Sequence, residues 1–399
     1  MPWSTTSAMT QRLLFIRDFE LGVFSFTALC ARFGVSRETG YTVLAQYRQE
    51  GRAGLEARSR RPHHSPHQTP SAVIDRLAEA RRRHPTWGPK KLLWLLRRRD
   101  PEGPWPAPST AGLWLKRRGL IRGPRRRRPL THPGRPQTRA TAPNTLWTLD
   151  FKGHFRTRDG RYCYPLTLAD DYSRYLLGCQ ALLQPTRALV RPVLTRCFQE
   201  YGLPARIRTD NGAPFASCAL ARLSQLSVWL LRCGIQPELI EPGHPEQNPR
   251  HERMHRTLKA ATTRPPGGNA RAQQRRFNTF REEFNAERPH ESLGMQPPGT
   301  LYCASSRPYR GPVEPLEYPG HFELRKVSRN GGVRWQKAWV NVSHVLAGEL
   351  VGFEAIADGL WEVYYRTVKL GRFSERTGRI EDDRGRLARQ RRLSTMSPV

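Results

Sequence analysis

The sequence predicts a multidomain protein with N-terminal all-α helix-turn-helix units, a central α/β core built on a mixed sheet, and a small β-barrel-like C-terminal domain. Three observations predict it. The chain has 399 residues and 37% are hydrophobic, a composition that suits several small cores joined by polar segments better than one large core. Its first third is helical in pattern and densely basic: residues 1–139 hold 28 Lys and Arg against 9 Asp and Glu, so they carry +19 of the formal +33. From about residue 144 the pattern turns to strands and then to alternating helix and strand, the layout of a sheet layered with helices.

A field of +33 attracts polyanions and makes association depend on salt, so nucleic acid is the leading partner. Charge alone does not separate this class from a basic ribosomal or membrane-surface protein. The motifs must do that. Cys30, Cys163, Cys179, Cys197, Cys218, Cys233 and Cys303 are scattered, without a C-x-x-C pair. That spacing argues against a disulfide framework or a zinc finger and fits a reducing cytosol. No apolar run approaches a membrane span and no signal-peptide pattern opens the chain, so a soluble, cytoplasmic, nucleoid-associated protein is expected.

The elements follow in order. In residues 1–60, Phe26–Phe33 reads as a short helix, Gly34-Val35 as a turn, and Ser36 as the N-cap of a second helix running through Tyr47. Leu29, Phe33, Val35, Val43 and Leu44 would form its small core. This is the geometry that presents a helix to the DNA major groove, with Arg37, Thr39, Tyr41 and Thr42 as candidate contacts. An ordinary helical hairpin shares the spacing, and the basic setting favours DNA.

A Pro-rich stretch over residues 58–70 leads into a second helical DNA-binding unit, assigned to residues 61–121. Its helices are expected at Ser71–His84, Gly88–Arg99 and Ser109–Arg118, with apolar faces at Val73, Ile74, Leu77, Leu92, Leu93 and Leu96. Each ends in a basic triplet, which suits the negative end of a helix dipole as well as it suits phosphate. A basic linker, 122–143, carries Arg125, Arg126, Arg127 and Arg128 in a row, read as tracking DNA phosphates.

The core is assigned to residues 144–309. Strands are expected at Leu146–Phe155, Arg161–Ala169 and Tyr175–Leu182, then a helix Thr186–Tyr201 and a strand Ala205–Thr209. A helical region Ala216–Cys233, a strand Gln236–Glu241 and helices Pro249–Ala260 and Arg271–Glu287 complete it. Phe277, Phe280 and Phe284 form a stripe that belongs in the core. Residues 310–380 return to strands, with turns at Asn330-Gly331-Gly332 and Asp358-Gly359 and a hairpin pairing Phe353–Ile356 with Trp361–Tyr365. The last stretch, 381–399, is a basic tail.

Within the core, two acids stand out. Asp150 lies near the middle of an apolar strand, where a carboxylate is costly unless paired or bound to a cation. Asp210 ends the short strand Ile207-Arg208-Thr209 and precedes the turn Asn211-Gly212, which aims it at the sheet edge. Carboxylates that converge from separate rigid elements are what a two-metal phosphoryl-transfer site needs, and an all-oxygen site suits two Mg2+ or Mn2+ ions.

These residues sit in wider motifs. Thr209-Asp210-Asn211-Gly212-x-x-Phe215, the strand bearing Asp150, and Asn248-x-x-x-Glu252-Arg-x-His-Arg-x-Leu258-Lys259 resemble the bacterial insertion-sequence DDE transposases related to retroviral integrases. Asn285-x-x-Arg288-Pro289-His290-x-x-Leu293 is similar to the segment that closes that family's catalytic domain, and the likeness extends to the N-terminal helix-turn-helix and Trp87-Gly88. The resemblance implies an RNase H-like integrase core in which Asp150, Asp210 and Glu252 bind two Mg2+ or Mn2+ ions. It implies cleavage of element ends, then transfer of the 3′-hydroxyl into target DNA, by at least a homodimer on double-stranded DNA with terminal inverted repeats. An inactive or domesticated copy that only binds DNA is one alternative reading, and a plain RNase H-type nuclease another.

The third acid has two candidates. Many relatives leave 35 residues between the second Asp and the Glu, a count that lands on Glu246, whereas motif and helix geometry select Glu252. Asn248 is suited to cap a helix and Pro249 to open it, which places Glu252 about one turn inside, with Asn248, Arg256 and Lys259 read as DNA contacts. Relatives usually carry Gly where this chain has Pro249, a substitution that is harmless only if the helix begins there. Asp170 and Asp171 are expected to stabilise a turn, and His244, His251 and His255 to face DNA or solvent.

Overall fold

The computed structural model describes residues 7–56, 68–121, 138–241, 247–311 and 317–381. Arg125 to Arg128, His244, Glu246 and the arginines of the basic tail lie outside them. The chain forms two compact units, Met1–Gln68 and Thr69–Val399.

The first unit is three helices: α1 (Ala8–Glu20), α2 (Phe26–Arg32) and α3 (Arg37–Glu50). Ser7, Ser25 and Ser36 each accept the amide three residues on, so every helix start is capped. Gly34, at φ +63°, makes the turn between α2 and α3. Helix α1 is not among the elements expected from the sequence, yet it supplies Phe15 and Ile16 to a core with Leu29, Cys30, Leu44 and Leu55. Where α3 crosses this core the fit is tight: a Cβ at Gly40 would lie 2.8 Å from Cys30 Sγ and 2.9 Å from Phe26 Cζ, so a side chain there must displace them.

The second unit opens with α4 (Ser71–Arg83), α5 (Pro89–Arg99) and α6 (Pro108–Arg117), packed around Leu77, Trp87, Leu92, Leu93, Leu96, Ala111 and Leu115. Part of the arginine at these helix ends serves the fold. Arg81 donates to the carbonyls of Trp87 and Leu120, Arg83 pairs with Glu79 at 2.5 Å, and Arg118 pairs with Asp75 at 2.9 Å.

The central sheet contains β1 (Leu146–Phe151), β2 (Phe155–Arg156), β3 (Tyr162–Asp170), β4 (Leu176–Leu182), and, after α7 (Arg187–Tyr201), β5 (Arg206–Thr209). Then come α8 (Gln225–Arg232), β6 (Gln236–Leu239), α9 (Pro249–Thr262) and α10 (Ala270–Ala286). β3 pairs antiparallel with β1, β2 and β4, whereas β1, β5 and β6 run parallel, which is the mixed sheet expected. Trp147, Leu149 and Phe151 share one apolar core with Val190, Leu194 and Phe198 of α7 and Leu226, Trp229 and Leu230 of α8. On the other side, Ala169, Leu176 and Cys179 pack with Met254 and Leu258 of α9 and Phe277, Phe280 and Phe284 of α10, so the aromatic stripe is core.

Two boundaries differ from expectation. The first strand stops at Phe151 because Gly153, at φ +62°, breaks the pleat before β2 begins. The helical region expected from Ala216 starts only at Gln225, where Ser224 caps α8, since Ala221 takes φ +51° and interrupts the preceding turn.

The C-terminal part holds β7 (Glu323–Lys326), β8 (Gly332–Trp335), β9 (Ala338–Asn341), β10 (Leu350–Ala357), β11 (Leu360–Tyr365), β12 (Val368–Ser374) and β13 (Arg379–Glu381). The hairpin of β10 and β11 pairs as expected, Phe353 with Val363. The expected barrel does not close among the described residues: the sheet runs β13-β12-β11-β10-β7, and β8 pairs only with β9. Gly331, at φ +80°, turns the chain out of the large sheet into that separate ribbon. The ribbon's Val333, Trp335 and Val340 cover Val351, Phe353, Val363 and Phe373, and Leu223, Val228 and Leu231 from the core join the same cluster.

Candidate active site

The site begins with strand register. In the parallel pair β1–β5, Leu149 lies opposite Thr209, so Asp150 and Asp210 follow side by side where the pairing ends. Parallel strands run about 4.8 Å apart, and the crevice beyond their carboxyl ends is where open α/β sheets place ligands. Asp150 is the fifth residue of six in β1, at the end of the strand rather than its middle. Its side chain is 21% exposed, and burial followed by the nearby carboxylates of Asp210 and Glu252 raises its pKa well above the usual aspartate value. Burial also raises that of Asp210, against a hydrogen bond donated by the Gly212 amide to Oδ1 at 3.1 Å. Asn211 Nδ2 donates to the Ile240 carbonyl at 2.7 Å and anchors this turn to the strand beside it.

Glu252 lies in the first turn of α9 and is exposed. Pro249 occupies the start of the helix, where its ring removes no helical hydrogen bond. The Asn248 carbonyl accepts the Glu252 amide at 3.2 Å, but the expected side-chain cap is not made. Asn248 is buried, its Oδ1 without a hydrogen-bond partner, so it is not presented to DNA as expected. Arg256 is exposed and Lys259 half-exposed further along the helix.

His251 and His255 lie on the sheet side of α9. Expected to face DNA or solvent, they are buried against the sheet, 2% and 3% exposed. Thr148 and Asp150 alternate onto the face of β1 that α9 covers, and Thr167 of β3 lies opposite Asp150. Thr167 Oγ1 lies 2.7 Å from His251 Nε2 and 2.6 Å from His255 Nε2, and Thr148 Oγ1 lies 2.7 Å from His251 Nδ1. His255 Nδ1 stands 3.7 Å from Asp150 Oδ2. Burial lowers the pKa of His251 to about 3, and burial, with His251 and Lys152 nearby, lowers that of His255 well below the usual imidazole value. The signal was present in the sequence: His251 and His255 share a helical stripe with Met254, Leu258 and Thr262, all buried.

Asp150, His251 and His255 offer ligand atoms within 4.8 Å of one another, the cluster of metal-ligating side chains found among the described residues. The three acids do not close to that spacing. Asp170 and Asp171 hold the turn after β3: Asp170 Oδ2 accepts the amide and hydroxyl of Ser173, and Asp171 pairs with Arg250 of α9 at 2.7 Å.

In the first unit, Arg37, Thr39, Tyr41 and Thr42 are all exposed on α3. The Tyr41 ring stacks on Phe26 at 4.2 Å, and Thr42 Oγ1 donates to the Glu38 carbonyl at 2.9 Å within the helix.

Comparison with known families agrees with this layout. An integrase core domain matches residues 140–245, and a second integrase core family matches residues 233–298. A helix-turn-helix domain matches residues 11–63 and a homeodomain-like domain residues 39–115. The chain is 30% identical over 275 residues to the insertion element IS476 uncharacterized 39.2 kDa protein of Xanthomonas euvesicatoria, covering 67% of this chain and 75% of that protein. It is 28% identical over 190 residues to the insertion element IS407 uncharacterized 31.7 kDa protein of Burkholderia multivorans, covering 47% of this chain and 64% of that protein. Among solved structures, the HTLV-2 integrase catalytic core domain in complex with magnesium aligns with 41% of this chain and 99% of its own, at 15% identity and a TM-score of 0.34. No helix among the described residues is long and apolar enough to cross a membrane. With an integrase core, helix-turn-helix DNA-binding domains and insertion-element relatives aligned over most of their length, the chain belongs to the insertion-sequence DDE transposases, enzymes of DNA cleavage and strand transfer.

Proposed function

We propose that Asp150, Asp210 and Glu252 are the catalytic triad, and that with two Mg2+ or Mn2+ ions they cleave the ends of an insertion sequence and join its 3′-hydroxyl to target DNA. The observation that carries this reading is the placement of Asp150 beside Asp210 at the ends of two parallel strands, with Glu252 near enough to raise the proton affinity of Asp150. A largely buried acid among acids is held at a cost unless a cation joins it, so the donor set fits hard dications. Two ions about 3.5–4 Å apart need only one shared acid between them, so the three carboxylates need not converge on a single point. When bound, the ions supply Lewis acidity, favouring an ionised attacking hydroxyl and stabilising the leaving oxygen.

The chain's own residues supply the positioning. The register of β1 with β5 fixes Asp150 against Asp210, and α9 carries Glu252 on a rigid turn. Arg256 and Lys259 follow one and two turns later as phosphate contacts for a DNA end. Arg37, Thr39, Tyr41 and Thr42 of α3 read the terminal inverted repeats, with Arg125 to Arg128 tracking the backbone between domains. Two ends must be brought together, so the working form on double-stranded DNA is at least a homodimer, acting at the nucleoid in the cytoplasm.

The test is strand transfer with oligonucleotides of the element's own ends. Asp150→Asn and Asp210→Asn are expected to abolish joining while binding the ends like the unaltered protein. Joining at an unchanged rate by either variant removes that residue from the site.

A further inference from the structure

An enzyme that joins two DNA molecules brings two duplexes to one set of acids, an element end and a target, and the two cannot lie on the same side of it. On the proposed reading the end lies along α9, where Arg256 and Lys259 follow Glu252. α9 and α10 cover the face of the sheet that carries Cys163, Ala169 and Cys179. The target then reaches the carboxyl edge of β1 from the side of α7 and α8.

The β2–β3 hairpin stands on that side. β3 runs antiparallel to β1, so its first residues project beyond the end of β1 that carries Asp150. Thr167 lies opposite Asp150, and Tyr162, five residues earlier, is roughly 16 Å farther out at about 3.3 Å per residue. Phe155 and Cys163 pair and pack with α10, so by alternation Arg156 and Tyr162 turn to the other face, as does Tyr164, which packs on the core of α7 and α8.

Arg156 is set in place there. Its Nη2 donates to Tyr162 Oη at 3.0 Å, and its guanidinium carbon lies 4.7 Å from the centre of the Tyr162 ring. His154 rests against both tyrosines, 5.1 and 5.2 Å between ring centres. The stack orders a long side chain before any ligand arrives and leaves other guanidinium N–H groups to donate. Arg158 and Arg161 are exposed at the tip, and no ion pair joins these three arginines to an acid among the described residues. Asp159, the acid of the tip, accepts instead from Thr157 Oγ1 and the Arg161 amide. The tip is also pinned: the amides of Arg158 and Asp159 donate to the Gly267 and Gly268 carbonyls at 3.0 and 3.1 Å.

We infer that the β2–β3 hairpin binds the target duplex, with Arg156, Arg158 and Arg161 on its backbone phosphates about five base pairs from the joining point, at about 3.4 Å per pair. Guanidiniums without acidic partners on a rigid element fit a polyanion, and a planar guanidinium holds a phosphate through parallel N–H bonds. The inference rests on the triad at Asp150 and on α9 taking the element end.

The probe is a supercoiled plasmid offered as target to the full chain already bound to pre-cleaved element-end DNA, with end binding and end cleavage measured beside it. Arg156→Ala is expected to raise the plasmid concentration that half-saturates joining about tenfold, while end binding and cleavage stay within about twofold. The double variant Arg158→Ala, Arg161→Ala, which leaves the stack intact, should shift it in the same direction. Tyr162→Ala, which releases Arg156, should shift it more than Tyr162→Phe, which keeps the ring. An unchanged plasmid dependence in Arg156→Ala or in the double variant overturns the inference. So does an equal loss of end cleavage, which would put the hairpin on the element end or in the fold. Asp150→Asn separates the two readings: normal end cleavage by that variant contradicts the triad, whereas its loss, with Arg156→Ala indifferent to plasmid, contradicts the hairpin assignment alone.

Discussion

The surroundings of Asp150 oppose its ionised form, and the consequence is a stability that depends on pH and on charge. Its folded pKa is raised, so the folded chain binds a proton more tightly than the unfolded chain does. The associated stability is therefore present below the unfolded aspartate value and is lost as the pH rises through the folded one. Without metal, Asp150→Asn is expected to stabilise the protein at neutral pH; a gain of about 1 kcal/mol would raise Tm by roughly 2–4 °C, with no gain in acid. A melt showing Asp150→Asn less stable than the unaltered chain at pH 7 would contradict the repulsion. Arg208 and Glu238 show the opposite case, a buried pair at 2.6 Å with the Arg208 guanidinium also donating to the Thr138 carbonyl. Glu238→Ala should cost about 3–5 kcal/mol by leaving that guanidinium uncompensated, measured by denaturant unfolding. The acids were legible in the sequence because a carboxylate in an apolar strand, or at a strand-ending Asn-Gly turn, has few reasons to be there. The burial of His251 and His255 was less so, because their partners Thr148 and Thr167 lie 84 to 103 residues away and meet them only once the sheet is built.

At the scale of elements, alternation in β1 does two things at once. One face anchors the sheet on α7 and α8, and the other presents Asp150 to α9, whose position depends on α10. Phe280→Ala in α10 should cost about 3–5 kcal/mol and loosen α9, lowering strand transfer more than end binding. Equal loss of both would show that α9 is not held this way. In the first unit, Gly40→Leu should unfold the three helices through the clash with Cys30 and Phe26, removing end binding while the separate second unit keeps its cooperative melt. Periodicity and capping located most helices and strands of the core. They failed where a local backbone break decided the outcome, at Gly153 and Ala221, and where closure depended on which strand edges meet, as in the open C-terminal sheet.

Over the whole molecule, the +33 charge sets how the enzyme finds DNA. A protein making about 6–10 phosphate contacts loses roughly 10³–10⁵ in affinity between 50 and 200 mM salt. End binding should show that steep dependence, and replacing Arg125 to Arg128 with alanine should reduce the slope of log K against log salt by roughly 3–4. An unchanged slope would free those arginines from the phosphate contacts. The change from a helical, basic first third to a strand-bearing core was readable in the sequence, whereas the packing of α8 against the C-terminal sheet was not. In the proposed triad α9, rather than the 35-residue count, supplies the third acid. The most direct measurement is strand transfer of pre-cleaved element-end DNA by Glu252→Gln and Glu246→Gln side by side. Glu252→Gln should lose about a hundredfold or more while Glu246→Gln joins ends at the unaltered rate; loss in Glu246→Gln with Glu252→Gln active would contradict the account.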